Sequence, residues 1–305
     1  MHRRDLLKAA AAAPLLAQPA LLGPRAASAE TRWDDGTVVR PPVPLAKRME
    51  GAILPDNRIL SYYGFPGNEL MGILGEYDPD DLLDRLREQA GAYEAADPSR
   101  PVKLAFEMMG SVAQSGAMAD DSYLAYTPTD IVRDYVRFSR ENDLLLILDM
   151  QYGRRSTAQE IDAILPWLEE AHVHIALDPE FAVKDGEIPG QDLGSIDSAD
   201  IRYAQETLAA FAEERSLPPK ILLVHQFNPY SISNKEQIAP VDGVQFLLEI
   251  DGFGNPNDKL ATYNLLAENP AQYLGFKLWY QQDDPLMSPE DVLALSPSPD
   301  IVIYQ

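Results

Sequence analysis

The chain has 305 residues, no cysteine and a formal net charge of −23 at pH 7. Without cysteine, disulfide bonds and lipid attachment through a cysteine are excluded, so a large core must stabilise the fold. The acidic excess disfavours nucleic acid, anionic lipid and polyanionic glycans as partners. It favours a neutral or cationic glycan, or another small-molecule substrate.

The first 29 residues have the pattern of an export signal. Arg3 and Arg4 precede an apolar stretch, and Ala27-Ser28-Ala29 matches a signal-peptidase cleavage site. We expect a twin-arginine (Tat) signal peptide over residues 1–29, recognised by the Tat export machinery, and a secreted or periplasmic protein with no stable membrane anchor. Residues 1–29 carry four basic and one acidic side chain, so the remaining chain has a net charge of −26.

Residues 30–57 are polar and contain several prolines, which is typical of an N-terminal extension or linker. From residue 58 onward, strand-like apolar segments alternate with amphipathic helical segments. The strand-like segments are residues 59–63, 103–107, 145–149, 173–180, 221–226, 246–251, 276–279 and 301–305.

This alternation predicts a parallel sheet of the α/β class. We expect residues 58–305 to form a single catalytic domain, a (β/α)8 (TIM) barrel in which the last strand pairs with the first. An open, doubly wound sheet is the alternative, but the chain has no glycine-rich nucleotide-binding turn to favour it.

Four helix starts share one signature, a capping residue followed by proline. They are Asp78-Pro79, Thr127-Pro128, Asn255-Pro256 and Ser288-Pro289. Proline suits the first helical position because no donor is needed there, and a carboxylate follows in each first turn. We therefore expect each of these four helices to begin at its proline.

Acidic side chains end several of the predicted strands, which is the most informative feature of the chain. Glu107 and Asp149 each end one strand, and two further strands end in acidic pairs. In a closed parallel barrel these ends meet at one mouth. Residues two apart on a strand share a face, so we expect each pair, Asp178 with Glu180 and Glu249 with Asp251, to face that mouth together.

Paired carboxylates at one cleft are typical of glycoside hydrolysis, which needs a protonated acid and an ionised nucleophile or base. The segment Leu177-Asp178-Pro179-Glu180 resembles the Asp-x-Glu that ends the fourth barrel strand of chitinase-type and muramidase-type glycoside hydrolases. That resemblance implies that Glu180 is the general acid and that Asp178 assists it. The chain departs from the chitinase pattern at Ala176 and Pro179. Glu249 and Asp251 are the candidates for the opposing carboxylate.

Other polar and aromatic residues at the strand ends are candidates for substrate binding. Aromatic rings stack on sugars, and charged or amide groups bind hydroxyls. The set is Tyr62, Tyr63, Glu107, Asp149, Tyr152, His225, Gln226, Lys277 and Trp279.

Two other functions use the same residues. The oxygen-rich set with His225 also suits Mg²⁺ or Mn²⁺ in a barrel isomerase, lyase or phosphoesterase, whereas the glycosidase hypothesis requires no cofactor and no metal. A non-catalytic, exported saccharide-binding barrel is the third hypothesis. A Schiff base at Lys277 is disfavoured, because an acidic mouth raises the pKa of its amine.

Overall fold

The computed structural model describes residues 49–267 and 272–305. Within them, eight parallel strands form a closed barrel in chain order, with the last strand paired to the first. The strands are β1 Arg58–Gly64, β2 Val102–Met109, β3 Leu145–Met150, β4 Val173–Leu177, β5 Lys220–Gln226, β6 Val244–Ile250, β7 Tyr273–Leu278 and β8 Ile301–Tyr304. The predicted α/β class and the closure by the final strand are confirmed. The open-sheet alternative is excluded.

Helices surround most of the strands. The described residues contain six α-helices: α1 Pro79–Ala96, α2 Thr129–Glu141, α3 Thr157–Leu168, α4 Ser198–Glu214, α5 Pro256–Leu266 and α6 Pro289–Leu293. The connection from β5 to β6, which is described throughout, differs from the others because its helical part is the single 3-10 turn Lys235–Gln237. The helical layer is therefore incomplete beside β5 and β6.

The proline signature located all four helices, but one of them begins differently from expectation. Proline occupies the first helical position of α1, α5 and α6, as predicted. Helix α2 instead begins at Thr129, with Pro128 as its N-cap. Thr127 thus lies one position before the N-cap, and its hydroxyl donates a hydrogen bond of 2.6 Å to the carbonyl of Met109.

The barrel has two apolar layers, because successive residues of a strand point to opposite sides. One layer fills the barrel interior and includes Ile59, Ile147, Leu223, Leu247 and Ile303. The other lies between the strands and the helices and includes Leu60, Leu148, Val224, Leu248 and Val302. Burial on both faces explains why the strands read as continuous hydrophobic runs.

The two ends of the barrel differ in character. At the amino-terminal end of the strands, the buried side chain of Leu54 joins the interior apolar layer, and its backbone N–H donates to Gln245 at 2.7 Å. At the other end, two small sheets shape the loops: Ser111–Ala113 with Leu124–Tyr126, and Ile196–Asp197 with Ile232–Ser233. The amino-terminal end of the strands is thus covered by apolar side chains, and the carboxyl-terminal end, with its loops, carries the polar groups.

The predicted signal peptide and most of the predicted extension lie outside the described residues. In the part of the chain that the structure does describe, no helix combines the length and the apolar character that crossing a membrane requires.

Candidate active site

A histidine enclosed by carboxylates lies at the centre of the site. His225 Nε2 lies 2.8 Å from Glu107 Oε1, and His225 Nδ1 lies 2.9 Å from Glu249 Oε2. Asp251 Oδ2 is also close, at 3.5 Å from Nδ1. All four side chains are buried. Both ring nitrogens therefore face acidic oxygens, an arrangement that suits an imidazolium ion with two donors.

Strand register brings these residues together. Glu249 is the direct Cα partner of His225 across β5 and β6, so both side chains enter the barrel interior at one level. Glu107 reaches the same histidine from β2, on the other side of the barrel. The contact between Glu107 and His225 spans 118 positions of sequence. It exists only because the barrel is closed.

The surrounding charges determine the protonation of His225. Burial alone lowers the pKa of this imidazole, but the carboxylates of Glu107, Asp251 and Glu249 outweigh burial and raise the pKa well above its usual value. His225 is therefore a cation at neutral pH and offsets part of the acidic charge around it.

A second cation, Lys277, enters the site from β7. Its Nζ donates to Asp251 Oδ2 at 3.1 Å and lies over two aromatic rings, 3.9 Å from the centroid of Tyr63 and 4.7 Å from that of Trp279. Burial raises the pKa of Asp251, but Lys277 and His225 oppose burial and lower this pKa to about 2. Asp251 is therefore ionised at every ordinary pH.

Two other acids have pKa values close to neutrality. Asp149 accepts a hydrogen bond of 2.8 Å from the hydroxyl of Tyr63, and its pKa is raised to about 7, chiefly by burial. Burial and the nearby charge of Asp251 also raise the pKa of Glu249 to about 7. Both side chains are fully buried. They form the floor of the site beneath the groups that reach the mouth.

Asp178 and Glu180 reach the mouth, although not as a strand pair. The expectation that strand four extends to Glu180 is wrong: β4 ends at Leu177, and Pro179–Phe181 is a 3-10 turn. Proline ends the strand because it supplies no ladder donor. Burial and neighbouring acids raise the pKa values of both carboxyls well above their usual range. Glu180 is the more exposed of the two.

Several acidic oxygens of the site have no hydrogen-bond partner among the described residues. These buried atoms are Glu107 Oε2, Asp149 Oδ1, Glu180 Oε2, Glu249 Oε1 and Asp251 Oδ1. An unsatisfied buried polar atom costs free energy and marks a place where a proton, water, ion or ligand belongs. Five such atoms in one cluster distinguish this end of the barrel from an ordinary core.

Two overlapping sets of side chains have the spacing needed to hold a cation. They are Glu107 with Asp149 and His225, and His225 with Glu249 and Asp251, and the ligand atoms of each set lie within 4.8 Å of one another. A metal binds neutral imidazole. The surrounding carboxylates raise the pKa of His225, so a cation in this cluster would have to displace the proton on the ring.

A row of aromatic rings borders the mouth. The centroid of Phe253 lies 6.2 Å from that of Phe227 and 5.8 Å from that of Trp279. Phe253 is 38% exposed. The sequence analysis did not include Phe253 among the candidates. Its position two residues after Asp251, between Gly252 and Gly254, is a signal for an exposed ring beside the site. The row offers flat apolar surface next to the acids.

Three of the predicted substrate-binding residues lie away from this cluster. Tyr62 and Tyr152 belong to the apolar layer between strands and helices. The hydroxyl of Tyr152 lies 3.1 Å from Thr157 Oγ1. Gln226 is buried, and its side chain bonds to Asn228 and Lys235. Tyr62 directly precedes the inward residue Tyr63, and Gln226 directly follows the inward residue His225. Successive side chains of a strand alternate, so Tyr62 and Gln226 point outward.

The remaining predicted residues converge at the mouth end. They are Tyr63, Glu107, Asp149, Asp178, Glu180, His225, Glu249, Asp251, Lys277 and Trp279, which come from six strands (β1, β2, β3, β5, β6 and β7) and from the segments after β4, β6 and β7.

No protein-family model matches the chain, and no curated protein matches it.

The site therefore has to be interpreted from its own chemistry. It combines carboxyl groups whose pKa values are raised by burial, Glu180 among them, with one, Asp251, whose pKa is lowered by neighbouring cations. Carboxyl groups whose pKa values are displaced in opposite directions are suited to acid–base catalysis.

Proposed function

We propose that this protein is a glycoside hydrolase with its active site at the mouth of a variant (β/α)8 (TIM) barrel. Six of the seven connections between strands contain an α-helix, which supports this barrel type, and the β5–β6 connection is the variation. The observation that carries the functional proposal is the pairing of a protonated Glu180 with an ionised Asp251 at one mouth.

Glu180 is the proton donor of the proposed reaction. Residue Glu180 is the more exposed of the two acids in its loop, its Oε2 has no hydrogen-bond partner among the described residues, and burial with the neighbouring acids raises its pKa, which favours the acid form. It protonates the leaving glycosidic oxygen as the bond to the anomeric carbon breaks. Asp178 lies beside Glu180 and contributes to the raised pKa, in agreement with the assisting role that the resemblance to chitinase-type and muramidase-type enzymes implies.

Asp251 is the ionised partner. Between the two candidates for the opposing carboxylate, the lowered pKa of Asp251 favours it over Glu249, whose pKa lies near 7. The negative charge of Asp251 stabilises the cationic transition state, or activates the attacking water that supplies the new hydroxyl.

The substrate is a neutral or cationic glycan. The net charge of −26 beyond residue 29 repels polyanions. The ring row of Phe227, Phe253 and Trp279 supplies a surface on which sugar rings stack. With the expected signal peptide removed, the enzyme acts outside the cytoplasm.

The proposal is tested by turnover of neutral and amino-sugar polysaccharides and of chromogenic glycosides. Glu180→Gln should lower kcat by about 100-fold or more on any substrate that the wild type cleaves, because general acid catalysis contributes about 10²–10⁴-fold. The matched control is Asp185→Asn, an exposed acid in the same loop. Unchanged turnover by Glu180→Gln removes Glu180 from the mechanism. Binding of a glycan without turnover by the wild type favours a saccharide-binding barrel instead.

A divalent-metal enzyme is the second candidate, supported by the five unpartnered oxygens and the two sets of candidate ligands around His225. Hard oxygen ligands of this kind suit Mg²⁺ or Mn²⁺. In that case calorimetry detects stoichiometric Mn²⁺ binding to the wild type but not to Glu107→Gln, and a chelator abolishes activity that Mn²⁺ restores. Activity that is insensitive to chelator excludes this candidate.

A further inference from the structure

A buried ion pair that no catalytic role requires lies behind the mouth. Lys259 on α5 and Asp283 in the loop after β7 place Nζ and Oδ2 3.0 Å apart, and both side chains are fully buried. Removing two charges from water is costly before their attraction is counted, so such a pair is weak evidence for a gain in stability alone. Its other contacts indicate what it does.

The pair joins the two loops that follow β6 and β7. Lys259 Nζ also donates to the carbonyl oxygens of Gly252 and Lys277. The Asp283 carboxylate accepts from two backbone N–H groups, that of Gly254 at 2.9 Å and that of Trp279 at 2.9 Å. Lys259 therefore links the loop after β6 to the end of β7, and Asp283 links the same loop to the start of the loop after β7, so neither loop can shift without breaking charge-assisted hydrogen bonds.

These two loops hold one side of the site. The loop after β6 carries Asp251 and Phe253. The loop after β7 carries Trp279, and Lys277 lies near the end of β7 itself. Across the gap between the loops, Asp251 pairs with Lys277 at 3.1 Å, and the ring of Phe253 meets that of Trp279 at 5.8 Å. Backbone atoms within two residues of all four side chains are bound by the buried pair.

We propose that Lys259 and Asp283 are positioning residues that set the distance between the ionised Asp251 and Lys277 and align the aromatic row. This inference rests on the proposed function only in assigning the consequence to catalysis. The positions of the loops are measurable without any substrate.

The chain contains a matched control for this role. Lys220 is also a fully buried lysine, and its Nζ donates to the carbonyls of Glu170 and Val173 at 2.7 and 3.0 Å. It lies at the first position of β5, at the end of the barrel away from the mouth. Lys220→Met and Lys259→Met thus remove the same kind of group from opposite ends of one barrel.

The test labels the exported protein with 5-fluorotryptophan and follows the ¹⁹F resonance of Trp279, assigned with Trp279→Phe. Lys259→Met should shift or broaden that resonance and lower kcat at least about tenfold, because small misplacements of catalytic groups are costly. Lys220→Met should leave both quantities unchanged even where its melting temperature falls equally. Lys259→Arg retains the charge and the donors, so its Trp279 resonance and its kcat should lie between those of Lys259→Met and the wild type.

Asp283→Asn is the second variant. It changes the side-chain volume very little, so it tests the positioning role even if Lys259→Met does not fold. It should also move the Trp279 resonance, since an amide cannot reproduce all the bonds of the carboxylate. A Trp279 resonance that is the same in wild type, Lys259→Met and Asp283→Asn overturns the positioning role. A shifted resonance in a protein that cleaves no glycan leaves the positioning role standing and removes the proposed function instead.

Discussion

The ammonium group of Lys277 lies 3.1 Å from Oδ2 of Asp251, inside a site where the other acids with shifted pKa values are displaced upward. This ion pair helps to separate one carboxylate from its neighbours, because Lys277 and His225 together outweigh the effect of burial on the pKa of Asp251. The difference between Asp251 and the other acids thus depends on two cations, one from each of the neighbouring strands β5 and β7.

Removing the charge of Lys277 should raise the pKa of Asp251. An opposite charge at this distance lowers a carboxyl pKa by about 1–3 units, so Lys277→Met should raise it from about 2 by at least about one unit. The measurement is a ¹³C NMR titration of the Asp251 carboxyl carbon, assigned with Asp251→Asn. Lys277→Arg keeps the charge and is the control. An unshifted titration in Lys277→Met contradicts the dependence on this ion pair.

The stability of the protein should fall as pH rises from about 4 to about 7. Asp149 has a pKa of about 7 in the folded state and an ordinary value near 3.8, so in this window the folded state binds more protons than the unfolded state. Each such group lowers the free energy of unfolding by about 1.4 kcal/mol per pH unit. Glu249 acts in the same direction.

Asp149→Asn should therefore make this pH dependence shallower, because it removes one of the protons involved. Urea unfolding at half-unit steps of pH measures the slope, and Asp185→Asn removes an exposed acid as the control. A slope that is equally steep in wild type and Asp149→Asn contradicts the raised pKa of Asp149.

His225→Asn should lower the free energy of unfolding at pH 6.5 by about 3–5 kcal/mol, the usual cost of leaving buried charges without their partner. The raised pKa of His225 means that its contribution is fully present below pH 6.5 and is lost as pH rises through the folded-state pKa. At pH 4.5 the penalty should be smaller, because the carboxyls left behind accept protons at little cost. His172→Asn is the control, because His172 lies just before β4, at the end of the barrel away from the mouth. An equal penalty at both pH values counts against the charge cluster.

Phe253→Ala should weaken substrate binding more than it slows chemistry. The ring is part of the aromatic row beside Trp279, and it has no group that can transfer a proton. We expect KM to rise about tenfold with kcat changed less than about threefold, as for loss of a stacking surface worth about 1.4 kcal/mol. Tyr230→Ala removes an aromatic side chain of 79% exposure from a neighbouring loop and should change neither constant. An unchanged KM in Phe253→Ala excludes the row from binding.

The sequence by itself determined the order of strands and helices, three of the four proline helix starts and the gathering of acids at one end. These features follow from local chemistry: hydrophobic runs, capping residues and the convergence of parallel strand ends. It did not determine which side of each strand faces inward. Tyr62 and Tyr63 are adjacent and equally buried, and a strand buried on both faces has no polar side to set its phase.

Only the tertiary structure decided the charge states and the supporting contacts. The link from Glu107 to His225 spans 118 positions, and the Lys259–Asp283 pair joins a helix to a loop beyond the next strand. A pKa depends on distances of a few ångströms between groups remote in sequence, and closure of the barrel sets those distances. The acids at the mouth are thus readable from the chain, whereas the lowered pKa of Asp251 is a property of the fold.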